Sequence, residues 1–224
     1  MKKLKGIIFD LDGVLVFTDQ FHYQAWKAIA DGLGISFDEE INNRLRGVSR
    51  MDSLEIILEN YHGETLTREQ KEELADQKNR LYRKLLETMT PDDVTPQVRH
   101  TLAALRQRGI RLSVGSSSKN ARFILERVDL LDAFDAISDG NNITRSKPDP
   151  EVFLKGAEFL GLEPEECAVV EDARAGIDAA KAGNMLAIGI GDACTCERTD
   201  YRLNEISDLL EVTDQIRQGD PGLY

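Results

Sequence analysis

The chain has 224 residues, a net charge of −12 at pH 7, 41% hydrophobic and 30% charged residues. This length suits one large domain or two modest ones. The acidic balance argues against nucleic acid or an anionic membrane surface as a partner. No apolar run approaches the ~20 residues that span a bilayer. The three cysteines lack a second pair or a nearby histidine that would complete a zinc site, so we expect reduced thiols in a cytoplasmic protein.

The first predicted element is a buried strand of a parallel sheet. The apolar residues Ile7-Ile8-Phe9 lead directly into Asp10-Leu11-Asp12-Gly13. Ligands of open α/β sheets bind at the carboxyl ends of strands. We therefore expect Asp10 and Asp12 at the mouth of a crevice, where one Asp can act as a nucleophile and the other can carry protons. Taken alone, the same residues also fit an ordinary turn.

The next segment predicts helices and no strand. Its apolar residues recur with helical spacing, and Thr67 and Gln70 fit a capping box at the start of the longest helix. The predicted helices cover about 19–33, 51–61 and 68–88. We expect residues 18–89 to form an all-helical cap domain, a helical bundle inserted after the first strand.

From residue 90 onward, strands alternate with helices. This pattern predicts an α/β fold with a doubly wound, parallel, Rossmann-like sheet. Four more strands are predicted, at about 111–115, 135–137, 167–170 and 185–190. Residues 1–17 and 90–224 are expected to form this core domain, with a peripheral tail from about residue 213.

Four polar clusters fall where these strands end. They are Asp10/Asp12, Ser116, Lys147 just before Pro148, and Glu171/Asp172. In this order and spacing they resemble the four motifs of the haloacid dehalogenase superfamily of phosphotransferases. The resemblance spans the whole predicted core and implies an enzyme that transfers phosphoryl groups.

The superfamily resemblance implies a Mg²⁺ site, and Mg²⁺ prefers hard oxygen ligands. Asp10 would be both the nucleophile and a metal ligand. Asp12 would be the general acid/base, with its backbone carbonyl on the metal. Asp172 would be a direct ligand, and Glu171 would bind the metal directly or through water. The pair Glu171/Asp172 also fits a simpler interpretation, in which it favours the positive end of the following helix.

Ser116 and Lys147 receive roles from the same resemblance. Ser116 would donate its hydroxyl to the transferring phosphoryl group, and Lys147 would neutralise the nucleophile and the phosphate. Each has an ordinary alternative: Ser116 fits a helix N-cap, and Lys147 fits a solvated loop.

Stretches in both the cap and the core resemble the β-phosphoglucomutase family. Thr18, His22 and Trp26 share one face of the first cap helix because they are four residues apart. The other matching stretches are Leu45-Arg46-Gly47-Val48-Ser49-Arg50, Lys78-Asn79, Ser116-Ser117-Ser118-Lys119-Asn120 and Ser146-Lys147-Pro148. That family interconverts β-glucose 1-phosphate and glucose 6-phosphate through β-glucose 1,6-bisphosphate.

The family resemblance also implies roles for the cap residues. Arg50 would bind the non-transferring phosphate, since its planar fork matches phosphate oxygens. His22 and Lys78 would couple cap closure to the placement of Asp12, with Thr18 near the hinge. The residues implied to contact substrate, with Arg50 and Lys78, are Trp26, Gly47, Val48, Ser118, Lys119 and Asn120.

Ordinary interpretations of the cap residues remain open at this point. His22 also fits a partly buried helix residue, and Trp26 fits a core residue. Lys78 also fits a surface residue, and Arg46 and Arg50 together fit a solvated helix face.

Three residues depart from the family pattern. Phe17 stands where an Asp is usual, Ala173 where Ser is common, and Ser117 where Ala is usual. None of them removes a proposed catalytic group.

We therefore expect a Mg²⁺-dependent phosphosugar mutase that acts as a monomer. The alternatives are a sugar-phosphate phosphatase and a non-enzymatic sugar-phosphate-binding protein.

Overall fold

The computed structural model describes residues 3–45 and 48–218. The chain divides into two units: residues up to Phe17 together with those from Thr90 onward, and Thr18–Met89. Arg46 and the predicted substrate contact Gly47 lie outside the described residues.

The first unit is built on a parallel sheet with the strand order β3-β2-β1-β4-β5-β6. The strands are β1 (Gly6–Phe9), β2 (Arg111–Gly115), β3 (Ala136–Ser138), β4 (Cys167–Glu171), β5 (Leu186–Ile190) and β6 (Tyr201–Leu203). All residues of β1 are buried, as its apolar sequence predicts. Phe9 pairs with Val114 of β2 and with Val170 of β4, so the carboxyl ends of these three strands are level.

The predicted fold class is confirmed: a doubly wound parallel sheet with a helical segment inserted after the first strand. β6 was not predicted, because three residues with an exposed Arg202 at the centre are too short to show a strand pattern.

The second unit contains helices and no strand among its described residues. The helices are α1 (Asp19–Gly32), α2 (Glu39–Asn43), α3 (Arg50–Leu58) and α4 (Arg68–Leu86). The capping box predicted for α4 is present: Gln70 N donates to Thr67 Oγ1, and the Gln70 side chain accepts from Thr67 N. The unpredicted α2 is a single short turn capped by Asp38. The helices pack around a hydrophobic cluster that includes Trp26 and Ile57.

The helices of the first unit flank its sheet. They are α5 (Pro96–Gln107), α6 (Ala121–Arg127), α7 (Glu151–Leu160), α8 (Arg174–Ala182) and α9 (Leu209–Gln218). The same unit contains 3₁₀ turns at Pro91–Asp93, Leu131–Ala133, Pro164–Glu166, Gly191–Thr195 and Ile206–Asp208. Thr95 caps α5 by accepting from Val98 N. Across residues 3–45 and 48–218, no helix combines the length and apolarity needed to cross a membrane.

The expectation of a peripheral tail from residue 213 is wrong for its described part. α9 buries Leu209, Val212, Thr213 and Ile216. Its apolar residues are spaced three to four apart and its other positions are polar, so α9 is amphipathic and packs one face against the core.

Replacing Ile216 by Ala should therefore lower the free energy of unfolding by about 2–4 kcal/mol, because the deletion leaves a cavity in a packed core. Urea denaturation followed by circular dichroism measures this change. The control is Glu211→Ala on the exposed face of α9, which we expect to stay within about 0.5 kcal/mol of the wild type. Equal effects of the two substitutions would show that α9 is peripheral after all.

Candidate active site

A buried lysine lies between two carboxylates at the carboxyl end of the sheet. Lys147 Nζ donates a hydrogen bond to Asp10 and another, 2.7 Å long, to Glu171 Oε1. All three side chains are buried. The ammonium group also lies 4.7 Å from the centre of the Phe153 ring. The interpretation of Lys147 as a solvated loop lysine is therefore wrong.

Opposite charges raise the pKa of Lys147 even though its burial acts in the other direction. Burial lowers this pKa, but the Asp10 and Glu171 carboxylates outweigh that effect. Lys147 is therefore a permanent cation in this site.

Three carboxylates meet beside this lysine. Asp10, Glu171 and Asp172 each offer an oxygen, and these oxygens lie within 4.8 Å of one another. Burial raises the pKa of Asp10 to about 7, with Lys147 opposing and Glu171 reinforcing the shift. Burial, then the charges of Glu171 and Asp10, raise the pKa of Asp172 to about 9.

One lysine carries a single positive charge against three crowded carboxylates. A divalent cation with oxygen ligands would relieve their repulsion, so the residues present fit Mg²⁺.

Two glycines lie against the carboxylates of Glu171 and Asp172, and their lack of a Cβ leaves room for these side chains. Gly13 has a φ of +82°, and a Cβ at this position would overlap the Asp172 carboxylate. A Cβ at Gly176, in the first turn of α8, would overlap the Glu171 carboxylate in the same way. Gly176 was not singled out in the sequence. The signal available there is a glycine within the first turn of the helix that follows the Glu171/Asp172 pair.

Residues 116–120 form a loop directly after β2, called the 116–120 loop below. Ser116 is buried; its N–H donates to Ser138 O over 3.0 Å, and its hydroxyl accepts from Ser118 N over 3.2 Å. Ser118 Oγ in turn accepts from the N–H of the buried Asn120. Helix α6 begins at Ala121, with Asn120 at the N-cap position. The interpretation of Ser116 as the helix N-cap is therefore wrong.

The remaining predicted core residues lie around these groups. Asp12 is partly exposed and forms an isolated bridge with Val16 just after β1. Lys119 is exposed. Glu171 Oε2 accepts from Ala173 N over 2.9 Å, immediately before α8. Glu171 thus accepts a hydrogen bond from a backbone amide just before this helix, in line with the simpler interpretation of the residue, and it also binds Lys147.

In the cap unit, α1 and α4 bring together a histidine, a lysine and two aromatic rings. Lys78 is buried, and its Nζ lies 2.8 Å from His22 Nδ1. The same Nζ lies 4.4 Å from the centre of the Tyr82 ring and 5.0 Å from that of Trp26. Burial, Lys78 and Arg50 lower the pKa of His22 well below 6.5, so the imidazole is neutral and accepts a hydrogen bond from the ammonium group.

Tyr82 connects several of these residues. Its hydroxyl hydrogen-bonds with Thr18 Oγ1 over 2.9 Å, and its ring centre lies 4.1 Å from that of His22. Trp26 lies in the hydrophobic core of the cap. The interpretation of Lys78 as a surface residue is wrong. Tyr82 was not singled out in the sequence, although it is one helical turn beyond Lys78.

Arg50 begins α3 and is held by α4. Its Nη2 donates to Asn79 Oδ1 over 3.0 Å, and its Nη1 lies 3.6 Å from Asp76 Oδ1. Its side chain remains 24% exposed, which leaves part of the guanidinium accessible to a ligand. Val48 is half-buried, just before this helix.

The sequence model of the haloacid dehalogenase-like hydrolases matches residues 4–184. This match covers more than half of the chain and contains the lysine, the three carboxylates and the 116–120 loop. The chain therefore belongs to the haloacid dehalogenase-like hydrolase family.

Within that family, the chain is similar to β-phosphoglucomutases. The β-phosphoglucomutase of Bacillus subtilis is 42% identical over 207 residues, which cover 92% of each chain. The crystal structure of a β-phosphoglucomutase from Clostridium difficile matches with a TM-score of 0.90 and 34% identity, over 96% of this chain and 98% of the other. A phosphorylated carbohydrates phosphatase of Thermotoga maritima is 29% identical, over 81% of this chain and 82% of its own.

The neutral state of His22 predicts a pH dependence of stability. Because its pKa in the folded chain lies below the ordinary value of 6.5, the unfolded chain binds more protons as the pH falls below about 6.5. The contribution of His22 to stability is therefore complete above that pH. It is lost at lower pH with a slope of up to about 1.4 kcal/mol per pH unit.

The measurement compares urea unfolding of the wild type and of His22→Gln between pH 7.5 and pH 5. We expect the stability difference between them to shift in favour of the variant as the pH falls. A difference that stays constant over this range would contradict the neutral histidine.

Proposed function

We infer that the chain interconverts β-D-glucose 1-phosphate and D-glucose 6-phosphate through an aspartyl-phosphate and β-glucose 1,6-bisphosphate. The observation that carries this conclusion is the 42% identity to a β-phosphoglucomutase over 92% of the chain. The phosphatase of Thermotoga maritima is less similar, at 29%. The enzyme is thus a phosphosugar mutase, and its substrate is a small phosphosugar.

We propose that Asp10 is the nucleophile. In the phosphorylated enzyme, the sugar C6 hydroxyl of β-glucose 1-phosphate attacks the aspartyl-phosphate while Asp12 takes the hydroxyl proton, which releases the Asp10 carboxylate and forms the bisphosphate. Asp10 then attacks the C1 phosphate, the bond from phosphorus to the C1 oxygen breaks, and Asp12 returns the proton to that oxygen. Glucose 6-phosphate leaves, and Asp10 carries the phosphoryl group again.

We propose that Lys147 and Ser116 stabilise the group in transfer. The Lys147 ammonium already contacts Asp10, so it offsets the repulsion between an anionic nucleophile and an anionic phosphate. The buried Ser116 hydroxyl would bind an oxygen of the transferring phosphoryl group. Ser118, Lys119 and Asn120, in the same loop, would contact the rest of the substrate.

Haloacid dehalogenase-like mutases and phosphatases are generally metal dependent, and the cluster of Asp10, Glu171 and Asp172 suits a metal. We propose Mg²⁺, held by these carboxylates and by the Asp12 carbonyl. When bound, Mg²⁺ supplies positive charge that favours the ionised nucleophile and the phosphate in transfer. The cysteines are free thiols, and we propose that the protein works in the reducing cytoplasm.

We propose that the cap unit binds the phosphate that is not transferred. Arg50 is the group for this task, because Asn79 and Asp76 orient its guanidinium while leaving it partly exposed. Gly47 and Val48 would also contact the substrate. Thr18, His22, Trp26, Lys78 and Tyr82 form one connected set, which would orient the cap for catalysis.

Phosphorus NMR of the protein with Mg²⁺, β-glucose 1-phosphate and a trace of the 1,6-bisphosphate tests the proposed reaction. We expect glucose 6-phosphate to accumulate with little inorganic phosphate. The control is the same mixture with EDTA in place of Mg²⁺, in which we expect no conversion. Inorganic phosphate as the main product would establish a phosphatase instead.

The nucleophile is tested by Asp10→Asn, which keeps the shape of the side chain but removes its anionic oxygen. We expect this substitution to abolish turnover, with loss of the hydroxylamine-labile phosphoryl group on the protein. The matched control is Asp92→Asn at an exposed position of a 3₁₀ turn, which should leave kcat unchanged. Residual activity of Asp10→Asn above a few hundredths of the wild type would refute the assignment.

A further inference from the structure

We propose that the turn after β3, residues Asp139–Asn142, positions the 116–120 loop for phosphoryl transfer, with Gly140 as the critical positioning residue. We call these four residues the β3 turn. The inference rests on the proposed function, since the 116–120 loop is assigned there to the phosphoryl group and the substrate.

The β3 turn binds the 116–120 loop through consecutive backbone carbonyls. Gly140 N donates to Ser118 O over 3.2 Å, and Asn141 Nδ2 donates to Lys119 O over 3.0 Å. At the other end of the loop, Ser116 N donates to Ser138 O, the last residue of β3. The loop is thus held at both ends by the segment that follows its neighbouring strand.

The β3 turn is itself fixed by its own side chains. Asp139 is buried, and its Oδ1 accepts from Asn141 N over 2.9 Å. Asn142 Oδ1 accepts from Ser138 Oγ over 3.1 Å and from Asp139 N over 3.2 Å. These bonds within the turn fix its backbone, while Gly140 N and the Asn141 side-chain amide are left to bind the loop.

No side chain fits between the two segments at Gly140. A Cβ there would lie well under 3.0 Å from the carbonyl oxygen of Ser117 and 2.9 Å from the amide nitrogen of Lys119. Both atoms belong to the backbone and cannot swing away as a flexible side chain can. A methyl group at this position must therefore displace the 116–120 loop or the β3 turn, and either shift changes the contacts between them.

The side chain of Ser117 does not hold the loop in place. Its hydroxyl is buried and has no hydrogen-bond partner in the part of the chain that the structure describes. In our proposal, the placement of Ser116 therefore depends on the backbone contacts of the loop with Ser138 and with the β3 turn. A catalytic group displaced by on the order of 1 Å can slow a reaction about 100-fold.

The test is Gly140→Ala, measured in two assays. The first is the mutase turnover proposed above, with kcat and KM determined separately. The second is the rate at which acetyl phosphate phosphorylates Asp10: the Asp10 carboxylate forms a bond to phosphorus, the bond from phosphorus to the acetate oxygen breaks, and acetate leaves. Intact-protein mass spectrometry follows this second reaction, which needs no sugar.

We expect Gly140→Ala to lower kcat and the phosphorylation rate by at least about tenfold, with a smaller change in KM and a nearly unchanged melting temperature. The matched control is Gly32→Ala, where a Cβ would meet nothing within 4 Å. Asn141→Ala, which deletes only the side-chain bond to Lys119 O, should slow both reactions in the same direction. It tests the proposal should Gly140→Ala fail to fold.

A double-mutant cycle with Ser116→Ala separates positioning from general damage. If Gly140 acts by placing Ser116, then Gly140→Ala should cost much less activity in the Ser116→Ala background than in the wild type. Additive losses, or phosphorylation of Gly140→Ala at the wild-type rate, would overturn the inference. A wild type that is phosphorylated but does not convert glucose phosphates would instead refute the proposed function alone.

Discussion

The ion pairs of Lys147 with Asp10 and Glu171 are the interaction on which the rest of the site depends. A buried carboxylate is costly unless its charge is paired, and these three side chains are all buried. One ammonium group serves two carboxylates, and Asp172 adds a third negative charge nearby. The apolar strands that enclose the cluster make the unbalanced charge expensive.

The cap unit also contains a buried lysine, which lies among aromatic rings. Lys78 is buried against the rings of Trp26 and Tyr82 and against the neutral imidazole of His22. Aromatic faces and a ring nitrogen stabilise the cation. A charge held in this way interacts more strongly with an incoming anion than a lysine on a solvated helix face would.

The sequence predicted the sheet and the residues of the core cluster because these signals are local. Strands such as β2 and β4 are apolar runs that end at polar residues. The residues of the 116–120 loop are consecutive in the sequence and resemble those of the β-phosphoglucomutase family. The short elements α2 and β6 were missed because three to five residues cannot show a period. Gly176 and Tyr82 were missed for another reason: their importance lies in atoms from distant parts of the chain, which no local pattern reports.

The pairing register of β1 limits where the length of the chain can change. Phe9 is paired on one side with Val114 and on the other with Val170. Inserting one residue into β1 would advance Asp10 by about 3.3 Å and turn its side chain to the opposite face of the sheet, away from Lys147. Length changes in this enzyme are therefore confined to the connections between strands. The long segment between β1 and β2, which contains the cap unit, can change in length without shifting this register.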